Sequence, residues 1–210
     1  MSQLLRCLIK DDSVEVYLEA LNLLKFAVGN LARHLSSFDL HLMMGQFIQT
    51  IISSQNQNMK ARIASDKVIV HFAKHTNIGA LLVAKEVLKN IDRINKAALT
   101  RHNEENWEEK KTLLARFYAC LQMVLSQFSI VLCYQPEFYQ KCIELLAESM
   151  QRFSEEPVLK STCTQLVVSL HQIDAKLLDE AVSKLDFTKK THLKKICIEL
   201  EQTSQKGLVN

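Results

Sequence analysis

Four glycines and two prolines are all that 210 residues contain. Strand-and-turn architectures place one or the other at nearly every corner, because tight turns need either a positive φ or a fixed one. A chain this poor in both is read as all-α. The same scarcity removes dinucleotide-binding and P-loop folds, since no glycine-rich loop is present to cradle a phosphate. Hydrophobic residues at 48% exclude a disordered or low-complexity chain. No uninterrupted apolar run approaches the ~20 residues that cross a bilayer, residues 80–84 being typical, so no membrane association is expected. The N-terminal residues lack an apolar core followed by a small-residue cleavage site, which points away from secretion and toward a cytoplasmic protein.

Apolar residues recur at helical spacing throughout. Val14, Tyr17, Leu18, Leu21, Leu24 and Val28 make one stripe, with Asp12 or Ser13 as N-cap and Gly29 and Asn30 suited to the C-terminal end. A second helix from about Phe38 turns Leu42, Phe47, Ile48, Ile51 and Ile52 inward, and the polar stretch 53–58 interrupts it. A third covers about 59–74 through Ile63, Val68, Val70 and Phe72, and a fourth ends near Asn90. Residues 92–103 are polar and read as a connection holding a short helix. A long helix over about 105–128 carries Trp107, Leu114, Phe117, Leu121, Val124 and Leu125 inward. Pro136 and Pro157 suit the first turns of two further helices, where a missing N–H costs nothing. Helices over about 176–185 and 188–202 complete the chain, and residues 204–210 read as a frayed tail.

Long helices thus begin near residues 13, 58, 106 and 157, in steps of 45, 48 and 51, each step holding two helices. That spacing is the mark of a HEAT- or armadillo-like array, whose period is ~40–47 residues. A four-helix bundle is the rival architecture and has too few helices. The expectation is a single domain over residues 1–203, built of four to five helix pairs.

Charge and cysteine usage narrow the function classes. The net charge of +3 resides in residues 1–105, with 13 basic against 10 acidic residues, while residues 106–210 balance. A nucleic-acid binder carries a denser basic stripe, so no nucleic acid is expected. Cys7, Cys120, Cys133, Cys142, Cys163 and Cys197 are irregularly spaced without a C-x-x-C pair, which reads as small buried hydrophobes in a reducing compartment. His71 and His75 share a helix face and could chelate, but Phe72 stands where a metalloprotease has Glu and no third ligand is spaced to join them. Asp11 with Asp12, and Glu104, Glu105, Glu108 and Glu109, read as helix-start charge. Trp107 is read as core-edge packing, with an interaction anchor as the alternative. No nucleophile has a supporting motif, so neither catalysis, a metal nor a cofactor is expected.

The segments 58–65 and 12–21 resemble the openings of HEAT-repeat first helices, a polar turn followed by basic and small residues. With Glu105, Asn106 and Trp107, then Pro136, Glu137, Phe138 and Tyr139, and the closing Phe187, Thr188, Lys189 and Lys190, the order resembles a TOG domain. It is most similar to the divergent TOG domain of the MEK kinases that also carry RING and SWIM modules, and next to that of ciliary-tip centrosomal proteins. The chain departs from the family pattern in having fewer repeats and no first-turn tryptophan.

The resemblance implies a non-catalytic module that binds the tubulin heterodimer through its intra-repeat turns, at the cytoskeleton, centrosome or cilium. It would act as a monomer or within a larger chain. On this sequence the implied contact residues are Arg33, His34, Lys74, His75, Asn77, Tyr134, Gln135 and Lys176. The first two turns are basic, which suits an acidic partner. The alternative is a generic HEAT or armadillo scaffold that holds a peptide or protein on its concave face.

Overall fold

The computed structural model of the protein describes residues 13–53, 58–100, 107–153 and 155–207. Every regular element among them is a helix: α1 Val14–Leu31, α2 Ser37–Ser53, α3 Met59–Lys74, α4 Gly79–Thr100, α5 Trp107–Leu132, α6 Pro136–Arg152, α7 Pro157–Ile173, α8 Ala175–Ser183 and α9 Phe187–Gly207. Cys7, Asp11, Asp12, residues 54–57, residues 101–106 with Glu104 and Glu105, and residues 208–210 lie outside the described residues.

Local chemistry sets the helix starts. Ser13 Oγ accepts the Val16 N–H at 3.5 Å and Asn58 Oδ1 the Lys60 N–H at 2.9 Å. Ser36 Oγ accepts the Asp39 N–H at 3.1 Å while its hydroxyl donates to the Asp39 carboxylate at 2.6 Å, so cap and third residue satisfy each other. Asp174 closes α7 and opens α8 in one residue, its carboxylate accepting the Leu177 N–H at 3.0 Å. Pro136 and Pro157 each start a helix whose preceding residue supplies no side-chain cap. Gly79 takes φ +80° to enter α4 from the turn over residues 75–78, a conformation that a Cβ would strain.

The chain divides into two compact units, Met1–Asn90 and Ile91–Asn210, where the sequence is read as one domain over 1–203; the division falls within α4. In unit 1, α3 packs against α1 and α2 over a core of Tyr17, Leu21, Leu24, Met44, Ile48, Ile51, Ile52, Ile69 and Phe72. The Tyr17 hydroxyl reaches Ser65 Oγ at 2.5 Å, so the two buried polar atoms satisfy each other. Gly45 has a specific reason: a Cβ there would lie 2.6 Å from Glu86 Oε2, and the bare backbone lets the buried Glu86 side chain of α4 pass.

In unit 2, α5 packs chiefly on α7, and α9 lies against α6, α7 and α8. Leu114, Phe117, Tyr118, Leu121, Val124 and Leu125 of α5 are fully buried. A polar network runs through this core. Asn95 donates to Ser149 Oγ at 2.9 Å, Ser149 Oγ lies 2.8 Å from the Tyr118 hydroxyl, and that hydroxyl donates to the Leu145 carbonyl at 2.8 Å. Arg152 donates to the Asn95 carbonyl. Burial, with Cys163 and Cys142 beside it, pushes the Tyr118 phenol well above its ordinary range.

Several expectations are corrected. Helix α1 continues through Gly29 and Asn30, and the Asn30 amide donates to the Phe26 carbonyl at 2.9 Å instead of ending the helix. Helix α4 continues past Asn90 to Thr100, because Ile91, Ile94 and Asn95 extend its buried side where the sequence looks polar. Leu42 and Ile63 are exposed, and Leu40, Met44 and Ile69 take the inner positions. Helix α5 runs on to Leu132 with non-helical dihedrals at Phe128 (φ −128°, ψ 29°). Residues 204–207 of the expected frayed tail belong to α9. By length and composition α5 is also long and apolar enough to cross a membrane, which a count of uninterrupted runs passes over; 44% of that window is buried inside the protein.

Candidate functional site

Two hydrogen-bonded or charge-coupled pairs fix how α1 meets α3. Tyr17 lies on Ser65, and eight residues further along α1 the Lys25 ammonium acts on His71, six residues beyond Ser65. Both pairings advance in the same direction, so the helices run parallel and finish at the same end. That end carries Arg33 and His34 in the turn after α1, Lys74 as the last residue of α3, and His75 and Asn77 in the turn after it. Arg33, His34, Lys74 and Asn77 are exposed and His75 is half-buried. The second turn is held by its own backbone: His75 accepts from the N–H groups of Ile78 at 3.0 Å and Gly79 at 2.8 Å. The Asn77 N–H donates to His75 Nδ1 at 3.3 Å, which orients that ring.

Unit 2 shows the same relation between α5 and α7. Lys111 pairs with Glu156, and eleven residues along, Gln122 Nε2 donates to Ser169 Oγ at 2.9 Å, thirteen residues beyond Glu156. These helices are parallel too. Tyr134 and Gln135 lie exposed in the turn after α5, and Lys176 is exposed in the first turn of α8. Asp174 stands close enough to raise the Cys133 thiol, which burial chiefly pushes up to about 11. The Tyr139 hydroxyl is buried there without a hydrogen-bond partner, its phenol raised mainly by burial.

The two ends differ in chemistry. In unit 1 it is cationic: none of Lys25, Arg33 and Lys74 joins an ion pair among the described residues. Burial, then Lys25, then His75 hold the His71 imidazole below its ordinary range. In unit 2 it is apolar, with Ile130, Val131 and Tyr134 all exposed. Sequence reasoning named His71 only as a possible metal ligand beside His75 and missed Lys25, whose action on His71 depends on packing between helices. It also passed over Ile130 and Val131, which were legible as apolar residues off the α5 stripe.

Trp107 is half-buried, its ring 5.3 Å from that of Phe153 with Lys110 Nζ 6.0 Å from its centroid. Among the described residues no group of three or more His, Cys, Asp or Glu is placed to hold a metal ion. Cys120, Cys133, Cys142, Cys163 and Cys197 are free and buried. Burial is the main reason that the Cys142 and Cys163 thiols are pushed up to about 12, so they sit in the core as neutral hydrophobes. No protein-family model, curated protein or solved structure matches the chain.

Proposed function

We propose that this chain is a non-catalytic helical-repeat module of the HEAT kind, resembling a TOG domain, that binds the tubulin heterodimer through the turns after α1, α3, α5 and α7. One observation carries the reading: the recurrence of a single packing step. Helices α1, α3, α5 and α7 start at residues 14, 59, 107 and 157. Partners across α1/α3 and α5/α7 include Tyr17 with Ser65, Lys25 with His71, Lys111 with Glu156, and Gln122 with Gln165 and Ser169, from 43 to 48 residues apart. A near-constant offset between parallel alternate helices is what stacked repeats of ~40–47 residues produce. The turns hold Arg33, His34, Lys74, His75 and Asn77 in unit 1 and Tyr134, Gln135 and Lys176 in unit 2, and those of unit 1 are basic enough to suit an acidic surface. A role in the cytoplasm at microtubules, a centrosome or a cilium accompanies this reading.

Gel filtration and co-sedimentation with unpolymerised tubulin test it. Wild type should co-elute with tubulin, and more weakly as salt rises, because exposed charges are screened beyond ~8 Å at physiological ionic strength. Arg33→Glu combined with Lys74→Glu should weaken binding by about tenfold or more, chiefly through slower association. Stability should move within ~0.5 kcal/mol per substitution, since both side chains are exposed. Undiminished binding by the double variant discards the edge assignment. Absence of wild-type binding at low salt discards tubulin and leaves the generic scaffold.

A further inference from the structure

We propose that the C-terminal ends of α1 and α3 form a proton-linked docking surface for an acidic protein segment, holding it more tightly as the His71 imidazole takes up charge. The inference rests on the partner-facing reading of that edge and adds the partner's chemistry and its regulation.

The geometry comes first. The parallel register of α1 and α3 gathers Lys25, Arg33, Lys74, His34, His71 and His75 at one end of unit 1. No acidic residue occurs in the turns over residues 32–35 and 75–78. The carboxylate nearest in sequence, Asp39, is taken by the Ser36 hydroxyl in the cap of α2. Other lysines differ: Lys111, Lys141 and Lys189 of unit 2, like Lys89 of unit 1, each reach a carboxylate, of Glu156, Asp92, Glu148 and Glu86. The cations at the end of unit 1 therefore have no internal counter-charge among the described residues.

The histidines are set against one another. The charged or titratable groups that act on His71 are Lys25 from α1 and His75 from the turn after α3; α2 and α4 add none among the described residues. Both push His71 toward the neutral form, as does its burial. A carboxylate-rich partner would reverse the sign of that local field, so binding it and protonating the His71 imidazole favour each other. With so few permanent cations gathered here, the patch fits a short run of Asp and Glu on a protein better than the dense phosphates of a nucleic acid.

The test is titration calorimetry of the full chain with a short poly-glutamate peptide, whose carboxylates stay ionised across about pH 6 to 8. Repeating it in buffers of different ionisation enthalpy counts the protons taken up. Affinity should rise as pH falls through that window, by up to about tenfold per pH unit for each linked proton. His71→Gln should flatten the slope while leaving the binding seen at the alkaline end. Lys25→Gln should move the His71 proton-NMR titration toward that of an ordinary imidazole. Failure of poly-glutamate to bind, a pH-independent affinity, or a slope that survives His71→Gln overturns the proposal. Tighter binding of a single-stranded oligonucleotide at equal salt also overturns it. Proton-linked poly-glutamate binding without tubulin binding upholds this inference and removes tubulin. Tubulin binding that ignores pH does the reverse.

Discussion

In unit 1 the parallel helices α1 and α3 share one hydroxyl pair, Tyr17 with Ser65, in a core that also buries Thr50, Glu86 and Asn90. In unit 2 a network of Asn95, Ser149 and Tyr118 ties α4, α5 and α6, and α5 meets α7 through Lys111 with Glu156 and Gln122 with Ser169. The helix step is the same in both. Directional bonds add to the register in unit 2, where a shifted helix would leave buried groups unpaired. In unit 1 Lys25, Arg33 and Lys74 stay outside any ion pair among the described residues. The contrast teaches that one packing step can carry either a polar-pinned core or an uncompensated charged edge.

The largest expected effect lies in the unit 2 core. Leu121 is fully buried at the middle of α5. Leu121→Ala should cost ~2–5 kcal/mol through lost transfer energy and the cavity left behind, read by chemical denaturation. An unchanged midpoint would show that α5 does not anchor unit 2. Next, Asn95→Leu keeps the branched outline of the side chain while taking away the amide that bonds Ser149, and should cost ~1–3 kcal/mol. A neutral or stabilising result would make the network dispensable and the contrast between the units one of appearance.

Alkaline pH separates the units by a different route. Cys142 and Cys163 are pushed up to about 12 and Cys133 to about 11, burial being the main cause in each. Their folded values lie above that of an unfolded thiol, ~8.5, so the stability they contribute is whole below that pH. It is lost as pH rises from there toward the folded values, by up to ~1.4 kcal/mol per pH unit for each thiol. The described part of unit 1 contains no cysteine. Hydrogen exchange above that threshold should therefore show protection falling first in α5, α6 and α7; an equal loss in α1 and α3 would break the comparison. The smallest effect belongs to Tyr17→Phe, which removes one hydroxyl from the unit 1 pair at ~0.5–1.5 kcal/mol. A cost matching that of Asn95→Leu would show that unit 1 leans on its polar pair as heavily as unit 2 does.

Much of the helical layout was legible in the sequence because it depends on neighbours three and four residues apart. The stripe through Tyr17, Leu21, Leu24 and Val28, and that through Leu114, Phe117, Leu121, Val124 and Leu125, sit buried where the period puts them. Asn58, Pro136 and Pro157 mark helix starts that the structure keeps, since capping is chemistry within one turn. The continuation of α4 was not legible. Asn90 and Asn95 look like connection residues, but both are buried, and Asn95 finds its partner in Ser149, 54 residues away. A buried amide reads as a surface amide until that partner is in place.

The sequence alone determined the all-helical class, the helix starts and the spacing of alternate helices, for those follow from local propensity and period. It also supplied Arg33, His34, Lys74 and His75 as a basic set in two turns. Only the tertiary structure decided that α1 and α3 run parallel with the Lys25 charge acting on His71, that Lys111, Lys141 and Lys189 find carboxylates while Lys25 and Lys74 do not, and that Leu42 and Ile63 face outward although their spacing fits an inner face. The reason is physical. A helix fixes the angle at which each side chain leaves its axis, but which angle is buried, and which charge meets which, is set by the neighbour that docks against it.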